Sequence, residues 1–227
     1  MSGILQTIAG GSVYAPRPAG GIALVQQKVG TTADGSGAPL NIFFDAPAAS
    51  DSMTIACISF LDTASFTTVP RNDNTDDLTE AITSTITGVK TYIYYLYGYP
   101  TEGVSYTLDL PVRASMWIGE FSGTVDAAPQ DTSTGTGTST TLGVVPATQD
   151  PTTNSNLVIG IGGYVSATNT YSAGPSNGFT RGTATGGASV FQEVAYLIRT
   201  DSHAAVTSDV TITSAAWAGC SASFGGA

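Results

Sequence analysis

Positive charge is scarce in this sequence. Its 227 residues hold seven Lys and Arg against seventeen Asp and Glu, a net charge of −10. A phosphate-binding face needs clustered Lys and Arg, and an anionic lipid surface attracts the same residues. The sequence therefore predicts no nucleic-acid partner and no membrane partner. Histidine occurs once, at His203, and cysteine twice, at Cys57 and Cys220, with no CxxC spacing. That excludes the usual His and Cys metal sets and a disulfide framework. Both cysteines sit in apolar runs and are expected as buried free thiols. A single bridge between them is the alternative in an oxidising compartment.

Charged residues of both signs make up only 11% of the chain, against about 25% in ordinary domains. Hydrophobic residues make up 41%, so the shortage of charge is not a mark of disorder. Thr, Ser, Gly and Ala fill the gap, which points to short strands and tight turns. Helical periodicity is almost missing. The one candidate, DDLTEAITSTI (76–86), places Leu78, Ile82 and Ile86 four apart. Its threonines lower helix propensity, and a loop with a short strand is expected there.

Strand patterns recur instead. They include IALVQQKV (22–29), LNIFFDA (40–46), MTIACISF (53–60), TYIYYLYGY (91–99), VSYTLDLPV (104–112) and SMWIGEFSG (115–123). NLVIGIGGYV (156–165), SVFQEVAYLIR (189–199), VTSDVTIT (206–213) and AAWAGCSASF (215–224) follow. MTIACISF is nearly all apolar, as a strand covered on both faces would be. DTSTGTGTSTT (131–141) resembles a linker, but like strands flank it; it is expected as a loop or flat edge strand with Thr side chains in solvent. Many short strands with turn residues between them predict an all-β fold, an antiparallel β-sandwich of jelly-roll-like form. It spans residues 22–227 as one domain, preceded by an extended N-terminal arm at 1–21.

The arm, MSGILQTIAGGSVYAPRPAGG, lacks the features of a secretory signal. No Lys or Arg precedes Ile4, and Gln6, Thr7 and two glycines break its apolar run. An extended Pro/Gly segment has no core of its own, but it can lie on a neighbouring subunit. There it would bury Ile4, Leu5, Ile8, Val13 and Tyr14. At roughly 25 cal/mol per Å² of apolar area, such side chains contribute several kcal/mol before ordering entropy is subtracted.

Chemistry-bearing constellations are few. Asp73, Asp76, Asp77 and Glu80 form the densest acidic cluster. Calcium takes such oxygen ligands, but the turn glycine of a calcium loop is missing, so a solvated loop is the default. His203 adjoins Ser202 and Asp201, yet a triad needs groups converging from separate elements. Glu120 and Glu193 are the best carboxylate pair for glycoside hydrolysis, which requires two carboxyls about 5–9 Å apart across a groove. The default for each is an isolated, partly exposed strand carboxylate. The tyrosines Tyr92, Tyr94, Tyr97 and Tyr99 are candidates for a sugar-stacking face, although alternation sends some into the core. GIGG (160–163) is a strand segment and not a phosphate loop. No cofactor is predicted.

From Met116 to Tyr164 the sequence resembles a recurrent β-sandwich module of tailed-bacteriophage virion proteins. An EFSG strand end (Glu120–Gly123) precedes a D/P loop (Asp126–Pro129). A GTGTST segment (within Thr134–Thr140) and an LVIG strand (Leu157–Gly160) complete the pattern. AAWAGCSASF resembles the module's closing strand, and FTRGTATGGASVFQEVAYLI its penultimate region. The likeness extends over residues 22–224. It implies a non-enzymatic structural part of a particle with no catalytic residues to carry over. A head decoration or cement protein is favoured, packed on the major capsid protein or other virion subunits as a homo-oligomer. Its expected location is the virion, assembled in the host bacterial cytoplasm. The alternative is a tail, fibre or baseplate subunit with a receptor- or carbohydrate-binding role.

Overall fold

The structure, a computed structural model, describes residues 21–31, 39–66, 68–72, 76–98, 105–109, 112–124, 127–149, 151–152, 155–166, 168, 170–182, 185–187, 189–200 and 204–226. Every regular element among them is a strand. In chain order these are β1 (Ala23–Thr31), β2 (Leu40–Phe43), β3 (Ser52–Phe60), β4 (Arg71–Asn72), β5 (Thr79–Ile86), β6 (Val89–Tyr97) and β7 (Ser105–Leu108). They continue with β8 (Ala114–Ser122), β9 (Asp131–Gln149), β10 (Asn156–Val165), β11 (Thr180–Arg181), β12 (Thr185–Gly187), β13 (Val190–Arg199) and β14 (Val206–Gly225). The chain is an all-β antiparallel sandwich.

Two sheets form its centre. One runs β1-β8-β3-β6-β5; the other runs β11-β13-β10-β14-β9, with β12 also paired to β13. Between them lies a core that includes Met53, Ile55, Cys57, Ile93, Trp117, Phe121, Leu157, Ile159, Ile161, Cys220 and Phe224. A third, three-stranded sheet, β2-β7-β4, covers the outer face of the first. Its Leu40, Ile42, Tyr106 and Leu108 pack on Ala56, Ile58, Phe60, Met116 and Ile118. This second cover explains why all nine residues of β3 and of β8 are buried, as the apolar run of β3 predicts.

The outer face of the other central sheet is covered by the protein's own long ribbon. β9 and β14 pair along most of their length, with register shifts between Thr211 and Ala215. There the ribbon bends, and the 142–145 and 206–212 segments lie back over the sheet. Leu142, Val144, Val145, Val210 and Ile212 pack on Val158, Tyr164, Phe191 and Ala195. Glycine makes the close approach possible. A Cβ on Gly160 would stand 2.0 Å from the Val144 carbonyl oxygen, and one on Gly219 would stand 2.0 Å from that of Gly143.

Two expectations change. Residues 79–86 form a full strand paired to β6, with a bulge between Glu80 and Ile82; its β-branched residues favour the pleated surface. The runs at 206–213 and 215–224 are one bent strand. The 131–141 segment, expected as a loop or a flat edge strand, is the edge strand. Thr132, Thr134, Thr136, Thr138 and Thr140 are exposed at alternate positions. On its other face, Gly135 and Gly137 seat Pro146 and the Trp217 ring.

Candidate functional site

Glu120 and Glu193 are the best-built polar positions, and both are buried, at 1% and 0% exposure. The expectation of partly exposed strand carboxylates is therefore corrected. Glu120 shares a face with Met116 and Ile118, on the side of the three-stranded sheet. Its Oε1 accepts from the Ala49 amide at 2.9 Å and the Ser52 hydroxyl at 2.8 Å, and its Oε2 accepts from Gln26 Nε2 at 2.7 Å. Gln26 Nε2 also donates to the Ala46 carbonyl at 2.9 Å. The carboxylate thus fastens the connection after β2 to β1, β3 and β8.

Glu193 lies on the outward face of the other sheet, alternating with Val194 of the inter-sheet core. Arg181 grips it: Nε donates to Oε2 at 2.7 Å and Nη2 to Oε1 at 2.9 Å. The guanidinium carbon of Arg181 stands 3.4 Å from the centre of the Tyr171 ring, a cation–π contact. Burial raises the Glu193 pKa, and the Arg181 hydrogen bonds and charge act against that rise. The two carboxylates face away from each other across both central sheets, so they cannot flank one glycosidic bond.

The tyrosines do not share one face. Tyr92 and Tyr94 lie in the outer cluster, whereas Tyr97 packs against the inter-sheet core. Tyr99 lies outside the described residues. Tyr92 stacks on Phe60 at 5.4 Å and on Tyr94 at 5.8 Å. Phe60 pairs opposite Lys90, so these two rings flank Tyr92 on either side along the strand. Its flat faces are taken by neighbours, and a sugar needs one of them free. Tyr94 donates to Glu80 at 3.3 Å. Burial, and then the Glu80 charge, push its phenol pKa far up.

Asp73 lies outside the described residues. The Asp76 amide donates to Asn72 Oδ1 at 3.0 Å, the Asn72 amide donates to the Asp76 carbonyl at 3.2 Å, and Asp77 pairs with Arg71 in an isolated β-bridge. Among the described residues, no three His, Cys, Asp or Glu side chains gather as metal ligands would. Asp201, Ser202 and His203 fall outside the described residues, as do the arm residues Ile4, Leu5, Ile8, Val13 and Tyr14. Cys57 and Cys220 are free, fully buried thiols in the inter-sheet core. Burial raises both pKa values, Cys220 up to about 12; the neighbouring Cys220 adds to the rise at Cys57.

Sequence reasoning missed Arg181 as the partner of Glu193, because FTRGTATGG carries no pattern that ties one arginine to a carboxylate on another strand. The chain matches no family model, and no curated protein or solved structure matches it.

Proposed function

We propose that the protein is a non-enzymatic structural subunit of a bacteriophage virion, and within the particle a head decoration or cement protein. One observation carries this: the row of five exposed threonines on β9, set in an edge strand with no charged residue from Thr132 to Gln149. Alternate side chains on a strand stand about 6.8 Å apart. Such a face has no charge to desolvate and suits packing against a repeating neighbour. The resemblance to virion sandwich modules supports the same assignment. So does the use of Glu120 and Glu193 as internal fasteners. Residues 1–21 serve as an assembly arm that places Ile4, Leu5, Ile8, Val13 and Tyr14 on an adjacent subunit. The partners are the major capsid protein or other virion subunits, with further copies of the chain. The site of action is the virion, assembled in the host bacterial cytoplasm.

The test uses particles stripped of this protein. Full-length chain, chain lacking residues 1–21, and a Thr134→Lys/Thr138→Lys variant are added back, and bound protein is measured. Full-length chain binds, and both variants, folded by circular dichroism, lose most of that binding. Binding by both variants at the full-length level overturns the proposal. Binding of full-length chain to tail fractions, with none to heads, moves the assignment to a tail, fibre or baseplate subunit.

A further inference from the structure

The inter-sheet core contains one polar layer. Across the first sheet, Thr31, Ser115, Ser59, Thr91 and Ser84 stand directly opposite one another on β1, β8, β3, β6 and β5. All belong to the inward face, each two positions along its strand from Val29, Trp117, Cys57, Ile93 or Ile82 of the inner cluster. Across the second sheet, the matching layer is Gln192, Gly163 and Ala218 on β13, β10 and β14. The two layers meet, because a Cβ on Gly163 would stand 2.5 Å from Ser59 Oγ and 2.7 Å from Thr91 Cγ2.

Most hydroxyls here have partners. Ser115 Oγ donates to the Val190 carbonyl at 3.1 Å, Ser84 Oγ to the Gly135 carbonyl at 3.1 Å, and Cys220 Sγ lies 3.6 Å from Thr91 Oγ1. Gln192 is different. It is fully buried, and among the described residues neither its amide nitrogen nor its amide oxygen has a hydrogen-bond partner; Ser59 Oγ has none either. A glutamine amide carries two N–H donors and a carbonyl acceptor. Leaving such groups unmet in a protein interior forfeits their solvation with nothing in return.

We infer that Gln192 and Ser59 hold internal water between the sheets. Water both donates and accepts, so it meets the amide and the hydroxyl together, and buried waters typically make about three hydrogen bonds to such groups. Apolar residues bracket the layer on both sides. Val89 and Val190, both fully buried, stand two positions beyond Thr91 and Gln192, with Cys57, Trp117 and Val194 on the other side. The fully buried Gln192 amide and Ser59 hydroxyl, rather than the hydroxyl row alone, carry the assignment. It is independent of the virion assignment.

The test is a crystal structure of the full chain beyond about 1.6 Å resolution, paired with water-to-protein NOE spectra on the Gln192 side-chain amide. The expected result is a fully occupied water within about 3.2 Å of the amide, with NOE cross-peaks from slowly exchanging water to the Gln192 N–H protons. Gln192→Met removes that water, while Ser59→Ala leaves it in place on the amide. An amide bonded directly to Ser59 or to backbone, with no water in contact, overturns the inference. So does a water that persists unchanged in Gln192→Met. Should that variant not fold, the wild-type crystal structure and NOE spectra decide by themselves.

Discussion

Arg181 closes on the buried carboxylate of Glu193 with two hydrogen bonds, at 2.7 and 2.9 Å, while its guanidinium stacks on Tyr171. The arginine thereby ties the segment between β10 and β13 to the central sheet. Removing it leaves a carboxylate at 0% exposure with no counter-charge. Arg181→Ala should destabilise the fold by about 3–5 kcal/mol, the range for breaking one side of a buried pair. Arg181→Lys should recover only part of this, because an ammonium cannot reproduce the planar fork or the ring stacking. Urea unfolding monitored by circular dichroism checks both; an unchanged midpoint in Arg181→Ala would mean that water reaches Glu193 freely.

The same pair sets a pH dependence. Burial holds the folded-state pKa of Glu193 above its ordinary value despite Arg181. A carboxyl raised in this way binds its proton more tightly when folded. Its contribution to stability is full below the unfolded value, about 4.3, and is lost as pH rises through the folded value. Glu193→Gln has no such titration. From pH 4 to pH 7 the wild type should therefore lose stability relative to Glu193→Gln. Asp209 is raised in the same direction by burial, but it is present in both proteins and cancels in the difference. Paired urea titrations at the two pH values measure it. The opposite slope would show that Arg181 outweighs burial.

The thiols give a local probe of opening. Cys57 and Cys220 have no exposure, and burial holds both pKa values high. The thiolate is the reactive species. Native protein at pH 8 should therefore react with iodoacetamide far more slowly than protein in denaturant, with two thiols modified only after unfolding. Mass spectrometry of timed samples reads this directly. Rapid single labelling of the native protein would show that the inter-sheet core opens locally.

Much of this fold was legible because strand alternation is a local property. The largely apolar run Met53–Phe60 already indicated two covered faces, and the structure supplies both covers. The Thr-rich run 131–141 was open between a loop and a flat edge strand with its threonines in solvent, and the structure makes it the edge strand. Long-range closure was not legible. Nothing local in FTRGTATGG pairs Arg181 with Glu193, and nothing around Glu120 shows that Gln26, Ala49 and Ser52 converge on it. The bend of the β9–β14 ribbon was hidden for the same reason. Its determinants are glycines on different strands, which acquire meaning only once those strands are stacked.

Those glycines make a sharp test of the ribbon's place in the fold. On Gly160 a Cβ would lie 2.0 Å from the Val144 carbonyl oxygen, and on Gly219 it would lie 2.0 Å from that of Gly143. Both obstacles are backbone, so no rotamer change relieves them, and the whole folded-back segment must lift. Lifting it uncovers Leu142, Val144 and Val210. Each Gly→Ala substitution should cost about 1–3 kcal/mol or more, the range for forcing extra volume into a packed interior. Gly178 is the control. It has φ +77°, and a Cβ there would meet nothing within 4 Å. Gly178→Asn, which tolerates that conformation, should therefore stay within about 0.5 kcal/mol of wild type. Trp217, seated between Gly137 and Gly143, reports the movement through its fluorescence. Gly160→Ala and Gly219→Ala should shift that emission to longer wavelength in the folded state, and Gly178→Asn should not. Wild-type stability and emission in both alanine variants would mean that the ribbon does not pack backbone to backbone on β10 and β14.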